Sequence, residues 1–213
     1  MTKETTAWID AALKEHAFPL LALKGFRKRG RRAARITANE VFEEIWYNVV
    51  NYRSTGCSAL STRAGVGFRS VQRLLSEVLG WEPYPLQLSS DTGHIGGVGF
   101  IRGRWMVCTA DDLDGLPNRI VSELDSIALP FCNHLADKHA AAAFLLQSRN
   151  MQDVCRVCAI LWLEGEGQAA LDLAVERMES ENARLEQRAR NDPLRFADLE
   201  RLVTFFEDNL SRD

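Results

Sequence analysis

The sequence lacks long apolar runs and a large charge of either sign. No apolar run exceeds seven residues, whereas a membrane-spanning helix needs about 20. The opening MTKETTAWID is polar and is not typical of a secretory signal. We therefore expect a cytoplasmic protein with no membrane partner. The net charge of −3 gives no overall attraction to nucleic acid, so any such attraction would come from a local patch.

Cysteine and histidine are also scarce. The cysteines are Cys57, Cys108, Cys132, Cys155 and Cys158. Their number is odd and each lies among apolar residues, so we expect reduced, buried thiols and no disulfide. The Cys155-x-x-Cys158 spacing is typical of redox sites, but no βαβ pattern surrounds it, so core packing is favoured. The spacing of Cys132, His134 and His139 matches no zinc pattern, and we expect neither metal nor cofactor.

The length of 213 residues and the apolar content of 46% are typical of one globular domain with its own core. The predicted fold is a single α+β domain over residues 1–213. Residues 1–110 hold an N-terminal helix and a twisted antiparallel sheet of about four to five strands. Residues 111–213 form a helical portion packed on it. No catalytic motif is present, so the sequence leans away from an enzyme.

The strands are predicted from alternation and from β-branched and aromatic residues. Phe42–Arg53 and Cys57–Phe68 should pair antiparallel through a turn at Ser54–Gly56, and the second of them should have one buried face. The segment GFRKRGRRAARI is expected to form one strand, with a bulge or bend at Gly30. Two further short strands are expected near Val98–Arg102 and Arg104–Thr109.

The helices are predicted from apolar residues at helical spacing. Pro19 and Pro130 should each end a helix, and Gly80 should follow the end of another. Asp192 and Pro193 should begin the last helix. The expected helices are Thr6–Lys14, Ser70–Leu79, Leu116–Leu129, Ala136–Leu146, Gln152–Leu163, Gly167–Arg190 and Pro193–Leu210.

The segment Lys24–Arg35 has seven basic residues in twelve. In a single strand, Arg27, Arg29 and Arg31 would share one face because side chains alternate. Their guanidinium groups would suit phosphate or carboxylate recognition. The structural alternative, slightly favoured, is that glutamates of the neighbouring strand neutralise them, with Glu44 ahead of Glu40 and Glu43.

A candidate binding site combines the basic segment with residues farther along the chain. A cleft between the sheet and the C-terminal helices would bring together Arg27, Arg29, Arg31, His94, Arg102 and Trp105. No catalytic residue is assigned among them. The glycine-rich stretch Gly93–Gly99 runs into a strand and has no following lysine, so it indicates a bend rather than a phosphate-binding loop.

The order of these features resembles the bacterial domain of unknown function four-three-zero-four. Members have a GFxxRGRxxxR opening, a strand pair, a segment running from a histidine through RIG to WW, and an LPF phrase. Here GFRKRGR is followed by an aromatic hairpin, His94, GGVGFIRGRWMV and the ALPF of Ala128–Phe131. Arg104-Trp105 stands in place of WW, and Gly97-Val98-Gly99 is the counterpart of RIG. The resemblance covers roughly Leu20–Val175 and implies a fold and a bacterial source, without an activity or catalytic residues.

The favoured function is a non-enzymatic module that binds a protein partner, such as a toxin-neutralising immunity factor. A C-terminal helical hairpin is a second surface that could serve such a partner. One alternative is an enzyme or small-ligand protein using the predicted cleft. The other is a weak nucleic-acid binder that uses Lys24–Arg35, which the acidic remainder of the chain disfavours. The sequence does not indicate an oligomeric state.

Overall fold

The computed structural model describes residues 2–82, 88–91, 104–147, 150–186 and 197–211, with the backbone alone for 88–91 and 181–186. The chain divides into two compact units, Met1–Gly67 with Leu88–Ala136, and Phe68–Gln87 with Asp137–Asp213. The predicted α+β class is confirmed: an N-terminal helix and an antiparallel sheet precede a helical C-terminal part. The prediction of a single domain stays a prediction.

In the described residues the sheet has six strands in five positions across its width. β5 and β6 both pair with β4, at Arg63–Val66 and Ser58–Leu60 respectively, so they share one position, and the order across the sheet otherwise follows the chain. The strands are β1 (Arg27–Arg29), β2 (Arg32–Ile36), β3 (Val41–Tyr52), β4 (Cys57–Phe68), β5 (Leu88–Asp91) and β6 (Trp105–Val107).

The predicted hairpin between β3 and β4 is confirmed. The amides of Thr55 and Gly56 donate to the carbonyl of Tyr52 at 3.2 and 2.9 Å, and so short a connection permits only antiparallel pairing. The expected single buried face of β4 is wrong, since residues on both of its faces are buried. The small polar side chains that suggested a solvent face are themselves packed inside, and the hydroxyl of buried Thr62 donates to Glu123 at 2.8 Å.

The basic segment forms a hairpin rather than the predicted single strand. Gly30 has a φ of +62°, a conformation that glycine adopts without strain, and the chain reverses there. Arg29 consequently pairs with Arg32, and Arg27 pairs with Ala34. The turn places Arg31 outside both strands, so the prediction that Arg27, Arg29 and Arg31 share one strand face is wrong.

Of the last two strands, β6 was predicted and β5 was not. β6 lies within the expected Arg104–Thr109, whereas Val98–Arg102 falls outside the described residues. β5 was not predicted, because its sequence LSSD is polar and follows two prolines, a pattern typical of a loop.

None of the helices in the described residues is long and apolar enough to cross a membrane. A 3₁₀ turn at Ala110–Leu113 and two π turns at Leu13–Ala17 and Leu124–Ala128 adjoin them. The helices are α1 (Thr2–Ala12), α2 (Phe18–Leu23), α3 (Arg69–Leu79), α4 (Leu116–Glu123), α5 (Leu129–Leu135), α6 (Lys138–Leu146), α7 (Met151–Leu163), α8 (Gly167–Glu186) and α9 (Ala197–Leu210).

Pro19 and Pro130 do not end their helices as predicted. Each follows a π turn, in which the amide of Phe18 or Leu129 bonds the carbonyl five residues earlier. A new α-helical segment then begins, and the proline lies in its first turn, where a backbone amide needs no partner within the helix. The chain thus continues in helical form past both prolines.

The second unit is a packed set of helices. α8 packs on α7 and α9, and α3 packs on both α7 and α9. Trp162 of α7 stacks on Phe206 of α9 with ring centroids 4.9 Å apart, and Phe206 is fully buried. Gly80 and Gly165 follow helix ends with φ of +72° and +84°, and the prediction for Gly80 is confirmed. Asp192 and Pro193 lie outside the described residues.

The prediction of five free thiols is wrong at two positions. Cys57 and Cys108 form a disulfide, while Cys132, Cys155 and Cys158 are free and buried as predicted. The cause is strand register: Ser58 pairs with Val107, so Cys57 and Cys108 lie directly opposite one another with Cα atoms 4.2 Å apart. Sequence spacing could not indicate this proximity, since 51 positions separate the two cysteines.

Denaturing alkylation followed by mass spectrometry tests the disulfide. The unreduced protein should take up three alkyl groups and the reduced protein five. Replacing both Cys57 and Cys108 by Ala should lower the free energy of unfolding by about 2–5 kcal/mol, because the unfolded chain loses its cross-link. Five adducts without reduction would contradict the pairing.

Candidate anion-binding cleft on the sheet

The β1–β2 hairpin sorts its basic residues between two faces of the sheet. Register places Arg29, Arg32 and Trp46 in one row across β1, β2 and β3, and places Arg27, Ala34 and Glu44 in the next. Side chains of directly paired residues point to the same face, so these two rows together form one surface. We call it the arginine face.

The opposite face of the hairpin carries the structural charges. Arg35 donates through Nε to Glu43 at 2.8 Å, and its guanidinium also reaches the carbonyl of Lys24 and the side chain of Asn133. Lys28 lies over the ring of Phe18 at 4.4 Å. These contacts fix the hairpin against the helices of the first unit.

Arg31, in the turn, is also engaged. It donates through Nε and Nη2 to the two carboxylate oxygens of Asp10 at 2.6 and 2.8 Å. This bidentate hydrogen bond, reinforced by the charge of Asp10, raises the pKa of Arg31 above its ordinary value. Arg31 borders the cleft described next, but its guanidinium serves to hold the hairpin on α1.

The arginine face contains a cleft of about 720 Å³, within the range of small-ligand sites. Arg27, Arg29 and Arg32 line it on the hairpin side and are all exposed. Within the part of the chain that the structure describes, Arg27 and Arg29 have no hydrogen bond or ion pair. The cleft is therefore concave and basic, with two guanidinium groups available to an anion. The other residues lining it are Arg31, Ala34, Phe42, Glu44, Trp46, Tyr47, Asn48 and Arg63.

Glu44 places a carboxylate inside this basic cleft. Its residue exposure is only 8%, yet its ion pair with Arg32 is long, with 3.6 Å between Nη1 and Oε1. Burial raises the pKa of Glu44 above its ordinary value, and the nearby Arg32 lowers it in part. The predicted pairing of Glu44 with the basic segment is thus present, but with Arg32 rather than with Arg27 or Arg29.

Phe42 and Trp46 add aromatic rings to the cleft. Phe42 and Trp46 lie two residues to either side of Glu44 on β3, and both are half-buried. Their rings give the cleft apolar surface beside its charges. Neither residue was predicted as part of the site. Because β3 has aromatic residues at adjacent positions, sequence alone left open which ring faces the core and which faces the cleft.

Trp105 has a structural role in the first unit. Its indole Nε1 donates to the carbonyl of Asp112 at 3.0 Å, and the guanidinium of Arg119 lies 5.6 Å from its ring. It does not line the cleft on the arginine face. His94 and Arg102 fall outside the described residues, so the predicted cleft against the C-terminal helices stays a prediction.

Tyr47 and the three free cysteines also have raised pKa values. The hydroxyl of Tyr47 is buried without a hydrogen-bond partner in the described residues, and desolvation, with a smaller effect of Glu123, raises its pKa. Burial raises the pKa of Cys132 and of Cys158 to about 12 and raises the pKa of Cys155 as well. Because the thiolate is the reactive form, burial makes these cysteines unreactive.

A second concavity belongs to the helical unit. A shallow groove of about 540 Å³ runs between α3 and α9, and its lining includes Val78 and Phe205. Its charged lining consists of Glu77, Glu200, Asp208 and Arg201. The groove is therefore mainly acidic, whereas the arginine face is basic. None of the candidate site residues from the sequence analysis lines it.

Comparison of the chain with protein-family models, with curated proteins and with solved structures finds no match.

The two ion pairs of β2 with β3 should differ sharply in their effect on stability. Arg35→Ala should lower the free energy of unfolding by about 3–5 kcal/mol, because it leaves the almost fully buried Glu43 without its cation. Arg32→Ala should change it by less than about 1 kcal/mol, because Arg32 is 58% exposed and its contact with Glu44 is long, at 3.6 Å. Urea denaturation of both variants measures the difference, and equal effects would contradict the assignment.

The raised pKa of Glu44 should appear as a pH-dependent stability difference. A folded-state pKa above the unfolded value of about 4.3 stabilises the fold below that value, and the stabilisation disappears as pH rises through the folded pKa. Glutamine does not titrate. The gain in unfolding free energy of Glu44→Gln over the parent should therefore grow between about pH 4 and pH 7.

The control for this measurement is Glu15→Gln, because Glu15 is exposed on the helical side of the same unit. This change removes one carboxylate from an exposed position and so controls for the change in net charge. A Glu44→Gln difference that is flat, or that falls with pH, would contradict a raised pKa for Glu44.

Proposed function

We propose that the protein is a non-enzymatic binding module that recognises acidic side chains of a partner protein on its arginine face. The observation that carries this proposal is the pair Arg27 and Arg29, which are exposed and without partners in the described residues at the edge of a cleft. The other arginines of the hairpin are neutralised by Asp10, Glu43 and Glu44.

The geometry suits carboxylate recognition. Residues two apart on a strand carry their side chains roughly 6.5–7 Å apart, so Arg27 and Arg29 are spaced like alternate side chains of an extended partner segment. Each planar guanidinium can donate two hydrogen bonds to one carboxylate. Binding would also relieve the mutual repulsion of the two cations.

The chemistry of the cleft favours binding over catalysis. Its described lining contains no serine, cysteine, histidine or lysine. Arginine stays protonated in proteins and does not exchange protons near neutral pH. Tyr47 is on the lining too, but its hydroxyl is buried and its pKa is raised. Glu44 remains as the one carboxylate, and it has no nucleophile beside it in that lining.

The proposal extends to the biological setting expected from the sequence. A bacterial protein of the four-three-zero-four family that neutralises an acidic toxin or another acidic partner is consistent with an exposed basic cleft. The supporting observation remains the arginine face itself. Protein partners are favoured over polyanions because the whole chain carries a net charge of −3.

Nucleic acid is a second candidate because Phe42 and Trp46 lie among the arginines. Bases stack on aromatic side chains while basic residues neutralise phosphates, so a sheet face of this composition can hold a single strand. Glu44 within the same cleft opposes a phosphate backbone, which places this candidate second.

A titration with two probes tests the proposed function. A short glutamate-rich peptide and a single-stranded oligonucleotide are added separately to the whole protein at low salt, and binding is followed by calorimetry. The peptide should bind, and Arg27→Ala/Arg29→Ala should weaken its affinity at least about tenfold, because two charge-assisted hydrogen-bonding groups are lost.

The matched control is Lys3→Ala/Lys14→Ala, which removes the same charge from exposed positions on the N-terminal helical segment. It should leave the peptide affinity within about twofold if net charge alone contributes little. An equal loss of peptide affinity in both variants would mean that net charge, rather than the arginine face, determines binding. Binding of the oligonucleotide alone, weakened by the arginine changes, would replace the proposal with the second candidate.

A further inference from the structure

Two consecutive glutamates of β3 differ in how well their charges are compensated. Glu43, with 1% exposure, receives Arg35 at 2.7 and 2.8 Å and belongs to the helix-covered face. Glu44, with 8% exposure, has Arg32 at 3.6 Å. A buried carboxylate usually has close, well-directed donors, because removing it from water is otherwise unfavourable. Glu44 thus retains capacity to accept further hydrogen bonds.

The surroundings of Glu44 favour one kind of donor. Ala34 lies directly opposite it on β2, and its small side chain leaves that side of the cleft open. Trp46 lies two residues along the strand on the same face. A planar cation entering here could place one side against the indole and direct its N–H groups at the carboxylate. Guanidinium groups stack on tryptophan and bind carboxylates in pairs.

We infer that the arginine face recognises a mixed-charge segment, in which a partner arginine binds Glu44 against Trp46 while flanking acidic side chains bind Arg27 and Arg29. The inference rests on the proposed function and adds the requirement for a central arginine. Arg32, 58% exposed, then moves from Glu44 toward the partner's carboxylates.

The spacing of the sheet agrees with this arrangement. Neighbouring strands lie about 4.8 Å apart, so Glu44 on β3 and Arg27 on β1 are separated by roughly 10 Å. In an extended segment, a residue and its second neighbour are roughly 6.5–7 Å apart, and the long side chains of arginine and glutamate cover the remainder. An acidic residue two positions from the partner arginine therefore reaches the exposed pair.

Synthetic peptides of one length test the requirement for arginine. The first carries arginine at its centre with glutamate two residues to either side and glycine elsewhere. The second has glutamine in place of that arginine. Both are titrated by calorimetry against the whole protein, Glu44→Gln, Glu15→Gln and Arg27→Ala/Arg29→Ala.

The parent should bind the arginine peptide more tightly than the glutamine peptide, and Glu44→Gln should remove at least about tenfold of the affinity for the arginine peptide alone. Glu15→Gln should match the parent with both peptides. Thermal unfolding of Glu44→Gln should show an intact fold, because glutamine keeps the shape without the poorly compensated charge.

Each failure has its own meaning. Equal affinity of the parent for both peptides, with both weakened in Arg27→Ala/Arg29→Ala, would overturn the central arginine and leave the proposed function standing. Equal weakening of both peptides by Glu44→Gln would also overturn it. No binding of either peptide to the parent would overturn the proposed function together with the inference.

Discussion

The ion pair between Arg35 and Glu43 is the interaction on which the candidate site depends. It is nearly buried and joins β2 to β3 on the face that the helices cover. Because side chains alternate along a strand, fixing Arg35 and Glu43 inward fixes Ala34 and Glu44 outward. A shift of one residue in this register would bury the arginine face and expose the pair. The buried pair therefore determines which charges remain available for binding.

The same alternation explains why, among the arginines of the basic segment, only Arg27 and Arg29 have no ion pair in the described residues. Arg35 and Arg31 are committed to carboxylates of β3 and α1, and Arg32 makes a weaker contact with Glu44. Arg27 and Arg29 lie on the edge strand, where no neighbouring strand in the described sheet supplies an acidic side chain. An arginine of the segment is thus neutralised where a carboxylate of β3 or α1 is near, and it is available for binding where none is. The structural interpretation of the segment applies to Arg31, Arg32 and Arg35, and the functional interpretation applies to Arg27 and Arg29.

Much of the fold could be predicted from local patterns. The Ser54–Gly56 turn, the glycine after α3 and most of the amphipathic helices appear as expected. The β1–β2 hairpin was missed because one glycine in a basic run is compatible with either a bulge or a turn, and only pairing with β3 decides between them. Of the predicted site residues, Arg27 and Arg29 line the cleft with free guanidinium groups, while Trp105 does not line it. Phe42, Glu44 and Trp46 joined the site through register, which depends on contacts distant in sequence.

The link between Cys57 and Cys108 closes the intervening chain into a covalent ring. That ring contains β4, α3, β5 and β6, so it includes three strands of the sheet and one helix of the second unit. A single peptide-bond cleavage anywhere within it leaves the two ends joined through sulfur. Such a molecule keeps its full mass until it meets a reductant. Within this segment, cleavage of the backbone by a protease does not by itself separate the chain into two molecules.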